Sequence, residues 1–256
     1  MKKIIAFLLV LVMMLGIVAC TNTTETPAGS SDPTTPSTPV SGVMTHAQYL
    51  AAQKDEPVEI EAYVQATQNW YNNAIVIYAM DKTYGGYFGY NIPCTEEQAA
   101  KLVPGTKINI KGFKTFYKGM PEIDSKDAVL TIIEDGDTFV AYAEVMTDLL
   151  GKQELVNKAG AYAAFQGLTV KSITYRNDAP GDDIYVDFTL GDATYSFCVE
   201  RYLTDPETDL YKAFVNEEIK VGDVVNVYGF VYWYDADEDG ESGDGINTHI
   251  TKITKG

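Results

Sequence analysis

The stretch IKVGDVVNVYGFVYWY, Ile219–Tyr234, decides how the rest of the chain is read. From Val225 it alternates as a strand, with Val225, Val227, Gly229, Val231 and Trp233 on one face and Tyr228, Phe230, Tyr232 and Tyr234 on the other. The first set suits a barrel core, with Gly229 at a tight bend. The second set is expected to be covered by another part of the chain, to form a ligand platform, or to meet another protein. An earlier stretch, LVPGTKINIKGFKTFY at Leu102–Tyr117, aligns with it without gaps. Gly105 matches Gly222, Asn109 matches Asn226, Gly112 matches Gly229, Phe113 matches Phe230 and Tyr117 matches Tyr234. The chain therefore reads as one unit written twice, with Gly112 and Gly229 in matching places of two separate cores.

Working outward, the same elements precede each copy. In the first half, strands are expected at Val58–Ala66, Asn73–Met80 and Tyr84–Ile92, then a helix behind a Thr95/Gln98 capping box. In the second half, strands are expected at Ala161–Tyr175 and across an Asp183–Glu200 hairpin turning at Gly191-Asp192, then a helix behind a Thr204/Glu207 capping box. One last strand follows each copy, Pro121–Ile133 and Ile246–Thr254. Short helices are expected from Thr45 and over Asp148–Ala159. Residues 134–150 read either as a strand and turn or as a linker draped over both units.

The order β-β-β-α-β-β, with V-G-D-x-V-x-V-x-G at Val221–Gly229, resembles the OB-fold. The resemblance implies a mostly β protein of two tandem OB-fold-like five-stranded barrels, each with a short helix between strands 3 and 4. With the leader described next, the chain is similar to tandem OB-like lipoproteins of anaerobic Gram-positive bacteria.

The chain begins MKKIIAFLLVLVMMLGIVAC: two lysines, an apolar run from Ile4 to Ala19, then Cys20. This is a secretory leader pattern, with an apolar run short for a bilayer span. Ile17-Val18-Ala19-Cys20 resembles the bacterial lipobox. That implies cleavage before Cys20, diacylglyceryl attachment at its sulfur and palmitate-type acylation of the new amine. Each buried CH₂ of such chains contributes about 0.8 kcal/mol, so several chains anchor firmly. The expected location is the outer face of the bacterial cell membrane. Residues 21–42, rich in Thr, Ser and Pro, cannot bury enough surface to fold and read as a tether. The expected organisation is a signal peptide at 1–19, a tether at 20–42, and domains at 43–134 and 135–256.

Removing the leader leaves 17 Lys and Arg against 36 Asp and Glu, a net charge of −19. Such a field repels phosphate backbones, so nucleic acid is not expected as a partner. The 18 tyrosines point instead to surface contact with a glycan, a peptide or an envelope protein. By analogy with OB-fold ligand faces, Trp70, Tyr71, Tyr87, Tyr195 and Tyr232 are candidate ligand-binding residues, with Tyr90 and Tyr185 beside them. Cys94 and Cys198 fall at non-equivalent positions and are expected as free, buried thiols.

The loop DADEDGESGDGI, Asp235–Ile246, begins as a D-x-D-x-D-G calcium pattern. Asp235, Asp237, Asp239, Glu241 and Asp244 are candidate ligands. Ile246 stands where a bidentate Glu belongs, and the alternative is a solvated acidic turn. Calcium is the one cofactor suggested, in a structural role. His46 and His249 are the only histidines, neither at metal-ligand spacing, and no nucleophile-elbow, zinc-protease or phosphate-loop motif occurs. His249 reads as a surface strand residue. The expectation is a non-catalytic binding module. A structural or assembly role in the envelope is the alternative, and a carboxylate-pair hydrolase the distant third.

Overall fold

The computed structural model describes residues 42–233 and 248–256. Cys20, the leader, the tether and the candidate calcium ligands Asp235, Asp237, Asp239, Glu241 and Asp244 lie outside the described residues. Helix α1 (His46–Ala51) comes first. The Thr45 hydroxyl accepts Gln48 N–H, and the Gln48 carboxamide oxygen accepts Thr45 N–H, which satisfies the helix's first free donors.

Strands β1 (Pro57–Thr67), β2 (Ala74–Met80) and β3 (Gly86–Pro93) follow as antiparallel neighbours. Helix α2 (Glu96–Lys101) carries the expected Thr95/Gln98 box. Strands β4 (Lys107–Tyr117) and β5 (Met120–Ile123) complete a sheet of order β1-β2-β3-β5-β4, closed by β1–β4 pairing. The single strand expected over Pro121–Ile133 is divided. Asp124 Oδ1 accepts the Lys126 N–H and the Ser125 hydroxyl, turning the chain so that β6 (Val129–Ile132) pairs with the other end of β4.

The second half repeats the plan. After β7 (Glu144–Val145) and α3 (Gln153–Val156) come β8 (Tyr162–Tyr175), β9 (Ile184–Leu190) and β10 (Ala193–Val199). Helix α4 (Asp209–Val215), β11 (Val224–Phe230) and β12 (His249–Lys255) follow. The order is β8-β9-β10-β12-β11, closed by β11–β8 pairing. Both barrels have their parallel seam at the same place, at Gly89–Ile123 in the first and Cys198–His249 in the second. The fold is thus two OB-like barrels in tandem, mostly β, each with a helix between its third and fourth strands.

Two helix expectations change. The Asp148–Ala159 segment is a 3₁₀ turn, Thr147–Leu149, and the one-turn α3, interrupted where Gly151 takes a left-handed φ of 73°. Helix α4 is capped by Thr208, whose Oγ1 accepts Tyr211 N–H, while the Thr204 hydroxyl donates to Ile250 O inside the barrel.

The repeat is closest where the sequence matched. Gly105 and Gly222 have φ of 95° and 92°, a region that disfavours a Cβ. Gly105 N–H donates to Val64 O and Val64 N–H to Thr106 O. Gly222 N–H donates to Val170 O and Val170 N–H to Asp223 O. Gly112 and Gly229 occupy matching places, each in the fourth strand of its barrel. A Cβ on Gly112 would stand 2.9 Å from Ile123 Cγ2, and one on Gly229 would stand 2.2 Å from His249 O, in each case against the fifth strand.

Strand β2 explains how the barrels join. Ile75, Ile77 and Ala79 enter the first core with Ile60, Ile108 and Ile110. Val76, Tyr78 and Met80, on the opposite face, are equally buried in the cluster built around the second barrel, with Phe88 and Met120. A strand with both faces buried reads as a continuous apolar run, as AIVIYAM does. The outward side of β11 is its counterpart. Phe230 packs on Tyr78 with ring centroids 4.7 Å apart, and Tyr232 meets Phe88 at 5.4 Å. The first barrel covers these aromatics.

The main chains also touch. A Cβ on Gly86 would lie 2.2 Å from both Ala161 N and Gly160 C. The described residues all fall in one unit, Pro39–Gly256. Between the barrels, residues 134–142 drape over the first: Tyr63 donates to Asp137, Ala141 N–H donates to Gln65 Oε1, and Phe139 packs on Tyr63 and Tyr84.

Candidate functional site

The five aromatics nominated from sequence do not converge. Tyr87 is buried beneath α1, its hydroxyl donating to Asp81 and its edge against His46. Tyr232 is buried between barrels, stacked on His249 at 4.2 Å. Neither offers a free face, because a barrel strand whose outward side is covered has no ligand side left. Trp70 is half-buried, its Nε1–H donating to Cys94 O, and Tyr195 packs on Gly151. Tyr71 alone of the five is fully presented, 82% exposed.

Tyr71 stands at the rim of a cleft of about 500 Å³, lined also by Gln68, Asn69, Tyr90, Asn91 and Tyr202. Local chemistry fixes each ring. Tyr71 and Ala74 exchange both main-chain hydrogen bonds at 3.0 Å around Asn72 and Asn73, which have φ of 51° and 58°. Two consecutive left-handed asparagines make a tight hairpin turn that holds Tyr71 at its corner. Tyr90 and Asn91 together face Val76, since Ile75 pairs with Ile92 and Ile77 with Gly89. This bulge, with Asn91 at φ 50°, turns Tyr90 outward to 49% exposure. Tyr202, 54% exposed, comes from the second barrel just after β10, with the Arg201 guanidinium over its ring.

The cleft rests on a buried polar chain between the barrels. Gln68 Nε2 donates to Glu200 Oε2 at 2.9 Å and to Tyr78 Oη at 3.4 Å. Tyr78 Oη and His249 Nδ1 are 2.7 Å apart. Tyr232 is stacked on His249, and its hydroxyl donates to Glu122 Oε1 at 3.4 Å.

The ionisation states follow from burial. Desolvation pushes Glu122 up to about 7 and raises Glu200, and it lowers His249 to about 3. His249 is therefore neutral, and its Nδ1 shares a hydrogen bond with Tyr78 Oη whose donor is set by the imidazole tautomer. This corrects the expectation of a surface histidine: β12 carries it into the interface under the first barrel.

The two described cysteines are free and buried, with desolvation raising both thiols. Among the described residues, no group of three or more His, Cys, Asp or Glu side chains is placed to hold a metal ion.

Tyr71 and Tyr90 were visible in the sequence. Gln68, Asn69 and Asn91 carry no individual sequence signal, although the turn signal QNWYNN marks the loop that holds the first two. Tyr202 carries no sequence signal for this role, because only the docking of the barrels brings it to the first barrel's rim.

No protein family and no curated protein matches the chain in sequence. Solved structures do resemble it. A murine DNA-binding protein bound with double-stranded DNA aligns at TM-score 0.36 and 12% identity, over 77% of this chain and 96% of that one. The Ifi202 HINa domain in complex with a 20-bp double-stranded DNA aligns at 0.36 and 10%, over 79% and 96%. The OBody AM1L10 bound to hen egg-white lysozyme aligns at 0.30 and 19%, over 47% and 96%. What each binds is a property of that protein. Two of them are described with DNA, which overturns the exclusion of nucleic acid drawn above from net charge. Net charge averages over a whole surface and does not settle which partner class a particular face admits.

Proposed function

We propose that this protein is an exported, lipid-anchored binding module that holds a glycan, peptide or protein partner without catalysis at the outer face of the bacterial cell membrane. The observation that carries this reading is the cleft where Tyr71, Tyr90 and Tyr202 surround the amides of Gln68, Asn69 and Asn91. Exposed tyrosines supply apolar contact at low conformational cost, and planar amides supply both donors and acceptors. The lipobox-like Ile17–Cys20 supports the anchor, and the Thr/Ser/Pro stretch after it supports a tether.

A second reading, assembly with an envelope protein, draws on a different surface. Val140, Tyr142 and Val145 stand exposed along the segment that joins the barrels, Tyr142 at 83%.

Array binding of the detergent-solubilised full chain to glycans and peptides separates the two. Loss of signal in Tyr71→Ala with retention in Tyr142→Ala supports the cleft. A blank array, or loss in Tyr142→Ala alone, favours assembly.

A further inference from the structure

The polarity of the Gln68 side chain narrows what the cleft accepts. An ionised carboxylate only accepts hydrogen bonds, so Glu200 takes the amide N–H of Gln68 and the main-chain N–H of Leu203. The second amide hydrogen of Gln68 points to Tyr78 Oη, which is also paired with His249 Nδ1. Both donors of Gln68 are committed to the interface. Its Oε1 has no partner among the described residues and is the amide atom left for the cleft that Gln68 lines.

The ligand must then bring a donor to Gln68. No charged side chain lines the cleft, so a charged ligand finds no ionic partner there, and an anion also meets the field of Glu200 behind Gln68. Main-chain groups offer little to a peptide ladder here. Tyr71 and Ala74 bond to each other, and Gln68 N–H bonds to Val76 O. A sugar ring combines a C–H face that lies on tyrosine with hydroxyls that meet amides edge-on.

Resting on the binding function above, we infer that the Tyr71–Tyr90–Tyr202 cleft takes a neutral saccharide, one hydroxyl of which donates to Gln68 Oε1. Glu200 of the second barrel is the positioning residue that holds that amide with its oxygen outward.

The groups that face Glu200 are Gln68 and Tyr78 from the first barrel and Asp183, Cys198 and Arg201 from the second. Its protonation supplies a hydroxyl that competes for Gln68 Oε1, so acid weakens binding.

The test is calorimetric titration of the detergent-solubilised full chain with cello-, xylo-, manno- and chitotetraose. Tetragalacturonate, a tetrapeptide and a dT oligonucleotide are the contrasting probes. At least one neutral tetrasaccharide is expected to bind, with affinity falling about tenfold in Gln68→Leu, the loss of one well-formed hydrogen bond to a ligand. Glu200→Ala weakens binding and Glu200→Gln restores it, because the new amide oxygen still accepts from Gln68. Acidification through the Glu200 titration, which burial raises above the ordinary carboxylate range, weakens the wild type and leaves Glu200→Gln unchanged.

Failure of every neutral tetrasaccharide to bind at millimolar concentration overturns the inference. If a contrasting probe then binds in a Tyr71-dependent way, the binding function survives with another ligand class. Saccharide binding that Tyr71→Ala abolishes but Gln68→Leu and Glu200→Ala leave intact overturns the role of the amide pair. Binding indifferent to Tyr71→Ala removes the cleft itself.

Discussion

Gly86→Ala should separate the two barrels at their closest point. Gly86 φ lies outside the left-handed region, so alanine adds no backbone strain and the cost is steric alone. The new Cβ would stand 2.2 Å from Ala161 N and Gly160 C, about 1.2 Å inside the 3.4 Å at which contact becomes ordinary. No side chain can rotate away. Gly160 N–H donates to Val231 O at 2.7 Å, and Val231 N–H to Ala161 O at 2.9 Å, which fixes that segment to the second barrel.

Overpacking typically costs about 1–3 kcal/mol, and a clash with pinned main chain belongs near the upper end. For a body of this size, about 3 kcal/mol lowers the melting temperature by roughly 6–12 °C. The comparison is Gly85→Ala, whose Cβ would stand 2.4 Å from His46 Cγ and 2.6 Å from His46 Cβ, against α1 of the first barrel. Turning the His46 ring leaves its Cβ in place, so α1 itself must shift and this variant also costs about 1–3 kcal/mol, without touching the second barrel. Scanning calorimetry of the full chain reads both. A Gly86→Ala protein melting with the wild type would refute the close approach of the barrels.

Glu122→Gln should change how stability depends on pH. The folded carboxyl holds its proton to about 7 and the unfolded one loses it near 4.5, so the wild type loses stability as pH rises through that window. The variant gains up to roughly 3 kcal/mol relative to wild type by pH 8 and nothing below pH 4.5. His249, at about 3 folded and 6.5 unfolded, gives the opposite slope below 6.5. The readout is therefore the difference between variant and wild type in urea melts, and a difference constant with pH would refute the buried Glu122. Thr208→Ala removes the α4 cap and should cost about 1 kcal/mol, or roughly 2–4 °C. Glu207→Gln should cost nothing measurable, since Glu207 is exposed beside Lys212, and equal costs in the two variants would put the cap back at Thr204.

Much of each barrel was legible because its determinants are local. Alternation placed nearly every strand, and Gly105 and Gly222 marked the turns where the chain needs a left-handed residue. The misread elements were those where a neighbour decided. Thr204 looked like a cap until Ile250 O took its hydroxyl, and Pro121–Ile133 looked continuous until Asp124 turned it. The site was half legible. An asparagine turn in sequence announces Tyr71, but a ring's exposure depends on what packs over it, and Tyr87 and Tyr232 read no differently from Tyr71.

By itself, the sequence determined two barrels of one plan, since spacing of apolar residues, turn glycines and a capped helix act within a few residues of one another. Only the tertiary structure decided that the outward aromatics of one barrel close against the other. Tyr78 and His249 stand 171 residues apart and share a hydrogen bond that no local pattern encodes. Burial of a face is a property of two surfaces meeting, and the same docking that hides Tyr232 carries Tyr202 and Glu200 to the cleft.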